Sequence, residues 1–327
     1  MTKDAVNRRD LFITVAIFTE RRRWMIRDNN GKTACFGVAL LAQLALHLGR
    51  AVLLDAISVH VATSVLLSYL YGILTLFLKL AVFLIPTIIY LKLSGVRIAE
   101  LLAPIGEKKQ ENGSLHRRAI WFAAAASITL NAANLAGMAT DGIYKLVGVT
   151  APASALPEDW VLTVITFLSA VILAPLLEEL LFRGVALNAL LPLNNGAIAL
   201  CGLLFALMHY SAYSLLYAFV AGCLIAFFTK KSNSLKMAVG LHFVNNLLTF
   251  VSLAIAVYIG EVASAVFGYL LMALTLPLVV FGIVMLIKER RAVAEKTDER
   301  IGYGRSTVSF GIVIYIVLSA LICLMTR

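Results

Sequence analysis

Two adjacent glutamates and an arginine stand inside an apolar run, LAPLLEELLFRG, residues 173–184. A charge near the bilayer centre costs about 2.5–3.5 kcal/mol even on mild insertion scales, so three of them need a reason. Spacing gives part of it. Glu179 and Arg183 are i and i+4 with the glutamate first, the favourable order for a helical ion pair. Glu178 points about 100° away on a helix of 3.6 residues per turn and has no partner on its own helix. Two more polar groups follow: His209, which shares a helix face with Phe205 in FALMH, and His242, which shares one with Asn246 in HFVNN. A carboxylate and two imidazoles in a wet cavity suit hydrolysis, because a glutamate can take a proton from water. An imidazole and an asparagine amide can donate to a developing oxyanion. Two histidines and a glutamate are also the ligand set of some catalytic zinc sites, so Zn2+ on Glu178, His209 and His242 is a second reading. The zinc-protease signature HExxH and the nucleophile elbow GxSxG are both absent.

These groups can meet only if membrane helices hold them level. The chain has 327 residues, is 61% hydrophobic and has a mean hydropathy of +0.91, where soluble domains are about 45–50% apolar. This predicts an all-α, polytopic transmembrane bundle of about 8–9 spans, each needing about 20 apolar residues. Apolar runs place them near 35–59, 63–91, 119–140, 161–190, 196–210, 213–229, 235–260, 263–287 and 308–325, the last as an appendage to the core. LFITVAIF, followed by ERRR, reads as a surface amphipathic helix rather than a cleavable signal. His47, Arg50 and Asp55 interrupt the first span and Lys79 the second, and an Asp55–Lys79 ion pair is expected. Residues 191–196, LPLNNG, read as a tight turn. At 1.5 Å per residue, Glu178 and His209 both lie roughly 18–20 Å from it, so a hairpin brings them level. His242 follows at about 10 Å depth.

The net charge of +10 lies in a few loops. No basic stretch is interleaved with aromatics as a nucleic-acid surface would need, so the surplus reads as a topology signal. With the N-terminus in the cytoplasm, 23 of the 28 Lys and Arg residues face inward, in 1–34, 92–118, 230–236 and 288–305. Only Lys145 and Arg327 face outward, and Arg50, Lys79 and Arg183 are embedded. An odd span count puts the C-terminus outside. The bias fits a bacterial plasma membrane. Cys35, Cys201, Cys223 and Cys323 are far apart, lack zinc spacing and read as buried membrane cysteines.

The three motifs together, EELLFR at 178–183, FALMH at 205–209 and HFVNN at 242–246, resemble the CPBP family of CAAX proteases and bacteriocin-processing proteins, also called the type II CAAX prenyl endopeptidase or ABI family, which includes lysostaphin-resistance-like proteins. The family pattern is EExxxR, FxxxH, HxxxN. One departure is that Gly222 is followed by Ala226, where a GxxxG pattern is frequent. The resemblance covers about 119–260. It implies an intramembrane endopeptidase, named in the family as a metalloprotease although a metal-free glutamate mechanism has also been argued. Carried over, Glu178 activates water and His209 helps to orient it. His242 and Asn246 stabilise the oxyanion, or His242 binds metal, while Glu179 and Arg183 hold the helix in shape. Family substrates are prenylated CAAX tails or bacterial peptide precursors and membrane proteins.

The expected organisation is a cytoplasmic segment at 1–34, membrane helices and a cytoplasmic loop at 35–118, a catalytic core at 119–260, and membrane helices with a cytoplasmic linker at 261–327. The expected partners are the bilayer and a membrane-bound peptide or protein, not nucleic acid. The competing reading is a non-catalytic scaffold or a bacteriocin self-immunity protein. A transporter would usually show repeated halves with interrupted helices, and none is visible.

Overall fold

Lipid leaves backbone N–H and C=O groups no partners but one another, so long apolar runs must close their own hydrogen bonds as helices. The computed structural model describes residues 29–61, 64–102, 115–149, 156–193, 195–294 and 308–325. Of these residues 91% are helical and none is in a strand. The helices are α1 (Asn29–Val61), α2 (Val65–Ser94), the short α3 (Ile98–Leu102), α4 (Leu115–Leu146), α5 (Trp160–Leu190), α6 (Asn195–Leu207), α7 (Leu215–Ser232), α8 (Leu235–Tyr258), α9 (Glu261–Ala294) and α10 (Phe310–Met325). The run read as a surface helix, 11–18, lies outside the described residues, as does most of the loops at 106–118 and 288–305.

Among the described residues, seven helices are long and apolar enough to cross a membrane. The chain is an integral, multi-pass membrane protein. α6 and α10 are shorter. At 13 residues, α6 spans about 20 Å, well short of a hydrocarbon core of about 30 Å. It therefore differs from the expected full span at 196–210. It ends beside His209, and the chain turns back into α7 through 208–214. Non-helical backbone at membrane depth is tolerated where protein buries it or where it lines a cavity.

α5 is central. It packs against α2 on one side and α8 on the other, and α6 meets its second half. α7 joins α6, α4 and α8, whereas α9 lies outside against α4 and α8, with only 6% of its apolar window buried. Asp159 starts α5. Its Oδ1 accepts the Val161 and Leu162 N–H groups and its Oδ2 the Tyr69 hydroxyl of α2. The Leu162 bond foremost, with the Tyr69 and Val161 bonds, holds this carboxyl below the usual carboxylate range. Asp159→Ala is expected to lower stability by about 0.5–2 kcal/mol, read as a lower Tm in detergent that Asp159→Asn largely restores.

The last helix is not an appendage. α10 crosses α1 at Gly37 and Gly311, where a Cβ on Gly37 would stand 2.6 Å from Ser309 Oγ and 3.1 Å from Gly311 Cα. Tyr315 of α10 is fully buried and donates to Gln43 Oε1, which also accepts the Tyr210 hydroxyl. The C-terminal helix thus reaches the turn that carries His209.

Candidate active site

α5 is not a uniform α-helix. Pro175 has no N–H to give, and the turns around the glutamates widen. Residues Leu168–Leu173 and Leu180–Ala186 are π-helical and flank Ala174–Glu179. Single π-turns inside α-helices are frequent at functional sites. In π geometry Pro175 would have bonded the carbonyl of Ala170. The Asn246 amide, reaching across from α8, donates to that oxygen at 2.9 Å instead. Lys79 of α2 donates to the neighbouring Ser169 carbonyl at 3.2 Å. Asn246 thereby takes the place of the N–H that Pro175 lacks, whereas the Ser169 oxygen already accepts the Ala174 N–H and Lys79 adds a second bond to it.

Glu179 and Arg183 form the expected i,i+4 pair at 2.9 Å, with both side chains fully buried. The pair extends further than spacing indicated. Glu179 Oε1 also accepts from His242 Nδ1 at 2.7 Å. Arg183 Nη2 donates to the Gly222 carbonyl at 2.9 Å, and its guanidinium lies 4.4 Å from the Phe205 ring centre. That reach depends on the close crossing of α6 and α7. A Cβ on Gly222 would stand 3.0 Å from the Phe205 ring and 3.1 Å from Gly202 Cα. Gly222→Ala is accordingly expected to cost about 1–3 kcal/mol and to displace the Arg183 acceptor, measurable as a lower Tm.

Glu178 is turned away from that pair, as the 100° offset requires, and is 6% exposed. Its partners come from other helices. Lys79 Nζ is 3.9 Å from Oε1, and His242 Nε2 is 3.9 Å from Oε2. Lys79 therefore faces Glu178, not the expected Asp55, whose side chain is exposed. With Nδ1–H given to Glu179, the other imidazole nitrogen is left to accept towards Glu178. A gap of 3.9 Å is too long for a direct bond, yet one water about 2.8 Å from each atom fits it.

His209 follows the end of α6, its Nδ1 on the Phe205 carbonyl at 2.9 Å, and it is exposed. Phe205 lies between the histidines, with ring centres 5.1 Å from His209 and 5.5 Å from His242, both edge to face. The next residue, Tyr210, takes φ 49°, the left-handed region that few non-glycine residues occupy. Its ring stacks on His47 at 4.0 Å and its hydroxyl reaches Gln43. Held strain of this kind collects at functional sites. Glu178, Glu179, Arg183, Phe205, His209 and His242 thus form one connected cluster. Asn246 stands at its edge with one amide hydrogen committed to Ala170. Its neighbour Asn245 is the buried one, donating to Tyr217 at 2.6 Å. Asn245 and Lys79 are the polar residues near the cluster that spacing did not single out for it.

The zinc reading needs three donors turned to one point. Among the described residues no group of three or more His, Cys, Asp or Glu side chains is placed to hold a metal ion. His242 gives Nδ1 to Glu179 and turns Nε2 towards Glu178, the arrangement a metal-binding histidine also takes, so what the zinc reading lacks as placed is a third donor converging on the same point. None of the four cysteines is in a disulfide, and Cys201 and Cys323 are buried.

Residues 160–248 match the Rce1-like family model, described as type II CAAX prenyl endopeptidase Rce1-like. The match is to a part of the chain and agrees with the motif resemblance. That part holds every motif residue from Glu178 to Asn246 but not Lys79, His47 or Tyr315. No curated protein and no solved structure matches the chain.

Proposed function

We propose that the chain is an intramembrane endopeptidase that hydrolyses a peptide bond of a membrane-associated protein or peptide, with Glu178 as the base. One observation carries this reading. Glu178 is a buried carboxylate with one oxygen facing a lysine and the other an imidazole, while its neighbour Glu179 is spent on Arg183 and His242. A water between Glu178 and His242 gives a proton to the Glu178 carboxylate as its oxygen bonds to the scissile carbonyl carbon. The oxyanion accepts a hydrogen bond from the second amide hydrogen of Asn246, while His242 Nε2 accepts the other hydrogen of the attacking water. Glu178 then returns the proton to the amide nitrogen, the C–N bond breaks, and a new amino and a new carboxyl terminus leave. His209 orients the water, and Glu179 fixes the His242 tautomer much as a buried carboxylate does in a hydrolytic triad. No step is routed through a metal.

The segment 119–260 is the catalytic core, built on by helices at 35–118 and 261–327. The inward bias of Lys and Arg supports a cytoplasmic N-terminus in a bacterial plasma membrane. The substrate is a CAAX-type tail, a bacteriocin-like precursor or another membrane-bound peptide. A non-catalytic scaffold or self-immunity protein has no use for this cluster of buried charges. His209→Ala separates the two readings. At equal abundance it is expected to lose the wild-type phenotype, and full rescue by the variant would favour the scaffold.

Lys79 sets a positive charge 3.9 Å from Glu178 Oε1. Unit charges about 4 Å apart interact by about 4 kcal/mol at an effective dielectric of 20. Lys79→Met is expected to slow cleavage about tenfold or more, since tenfold needs only about 1.4 kcal/mol. Lys79→Arg should recover part of the rate. Equal rates in all three proteins would remove Lys79 from the mechanism.

A further inference from the structure

The strained residue beside His209 is gripped from two helices that lie outside the matched segment. α6 ends on tightened turns, with the Met208 N–H on the Leu204 carbonyl, the His209 N–H on Ala206 and the Tyr210 N–H on Leu207. Tyr210 then takes φ 49°, at a helix end where glycine is the usual occupant of the left-handed region. A tyrosine stays in that region only while its side chain is fixed, and this one is fixed at both ends. Gln43 and His47 stand one turn apart on α1. Gln43 Oε1 accepts the Tyr210 hydroxyl at 2.9 Å, and the His47 ring lies 4.0 Å from the Tyr210 ring between centres. Gln43 Oε1 also accepts the Tyr315 hydroxyl of α10 at 3.3 Å. Gln43, Tyr210 and Tyr315 are all buried, where a hydrogen bond is stronger than in water. Farther along the same turn the Tyr213 hydroxyl donates to Asp141 of α4. The His209 ring makes one hydrogen bond among the described residues, to the Phe205 carbonyl. Its place therefore depends on the backbone that Tyr210 pins.

We infer that Gln43 and Tyr315 are positioning residues for His209, acting through Tyr210, so that the first and last described helices set part of the geometry of the site. This rests on the endopeptidase reading, in which His209 orients the attacking water. Without the bond to Gln43, Tyr210 can leave the left-handed region. The peptide plane that joins it to His209 then turns, and the imidazole moves with it. A misplacement of about 1 Å can cost about a hundredfold in rate. The link touches the water-orienting group and no group proposed to hold substrate, so the loss falls on kcat rather than KM.

The test uses the full chain in mild detergent. The probe is a peptide spanning one site that membranes holding wild type cut and membranes holding Glu178→Gln do not. kcat and KM are measured per folded chain, with Tm alongside. Gln43→Leu is expected to lower kcat about tenfold to a hundredfold with KM unchanged. Tyr315→Phe should lower kcat about two- to tenfold, the weight of one hydrogen bond, and decides the matter if Gln43→Leu does not fold. The double variant should be no slower than Gln43→Leu alone, because both act through one link. Gln43→Glu keeps an accepting oxygen and should retain most of the rate. A merely structural role gives less folded protein with wild-type kcat in what remains folded, and that result would overturn the inference. So would Gln43→Glu as slow as Gln43→Leu. If no site depends on Glu178, the endopeptidase reading itself fails and this inference falls with it.

Discussion

Glu178→Gln is expected to slow proteolysis by about a hundredfold to ten-thousandfold, the usual weight of a general base, while leaving the protein folded. The amide has the same shape as the carboxylate but cannot take the proton from water. The fold should tolerate it, because Glu178 makes only longer-range contacts, 3.9 Å to Lys79 and 3.9 Å to His242. An unpaired Lys79 retains its bond to the Ser169 carbonyl. The check is a cleavage rate measured alongside Tm at equal abundance. A slow enzyme with wild-type Tm is the expected pair of values. A wild-type rate would move the base elsewhere.

Arg183→Met is expected to do the reverse, striking stability first. Arg183 is the largest fully buried side chain among the described residues, and its removal leaves Glu179 buried with His242 as its remaining partner. Breaking a buried pair from one side costs about 3–5 kcal/mol. A chain of this size should show that as a clear loss of Tm and of membrane abundance. Replacing both partners by apolar residues removes the stranded charge, so Glu179→Leu with Arg183→Met should recover much of the stability. It should not recover activity, because His242 loses the oxygen that holds Nδ1. A double variant as unstable as the single one would contradict this account of the pair.

Much of the site was legible in the sequence because α-helical spacing is a short-range rule. The Glu179–Arg183 pair, the separate facing of Glu178, and the shared face of Phe205 and His209 all follow from counting residues. The all-α membrane class followed from composition, and the motifs led to the family that residues 160–248 match. What escaped depended on long-range packing. Lys79 and Glu178 are 99 positions apart, and nothing local distinguishes Lys79 from a partner of Asp55. The link from His242 to Glu179 crosses from α8 to α5 and is invisible to spacing on either helix. The π-turns of α5 shift register by one residue, which an apolar run hides, although Pro175 was a local sign that the hydrogen-bond ladder must break. The shortness of α6 was masked by the apolar residues Met208 and Tyr210, which extend its hydropathy past its last helical turn. The burial of α10 rests on Tyr315 and on glycines whose role appears only when the partner helix is in place.

The most direct test of the central claim compares new peptide termini in membranes holding wild-type chain with those holding Glu178→Gln at equal abundance, each with and without a chelator. The account predicts termini found only with wild type and persisting in chelator. Identical termini in the two membranes, with the natural substrate present, would contradict Glu178 as the working carboxylate, and loss of the wild-type termini in chelator would contradict the metal-free route.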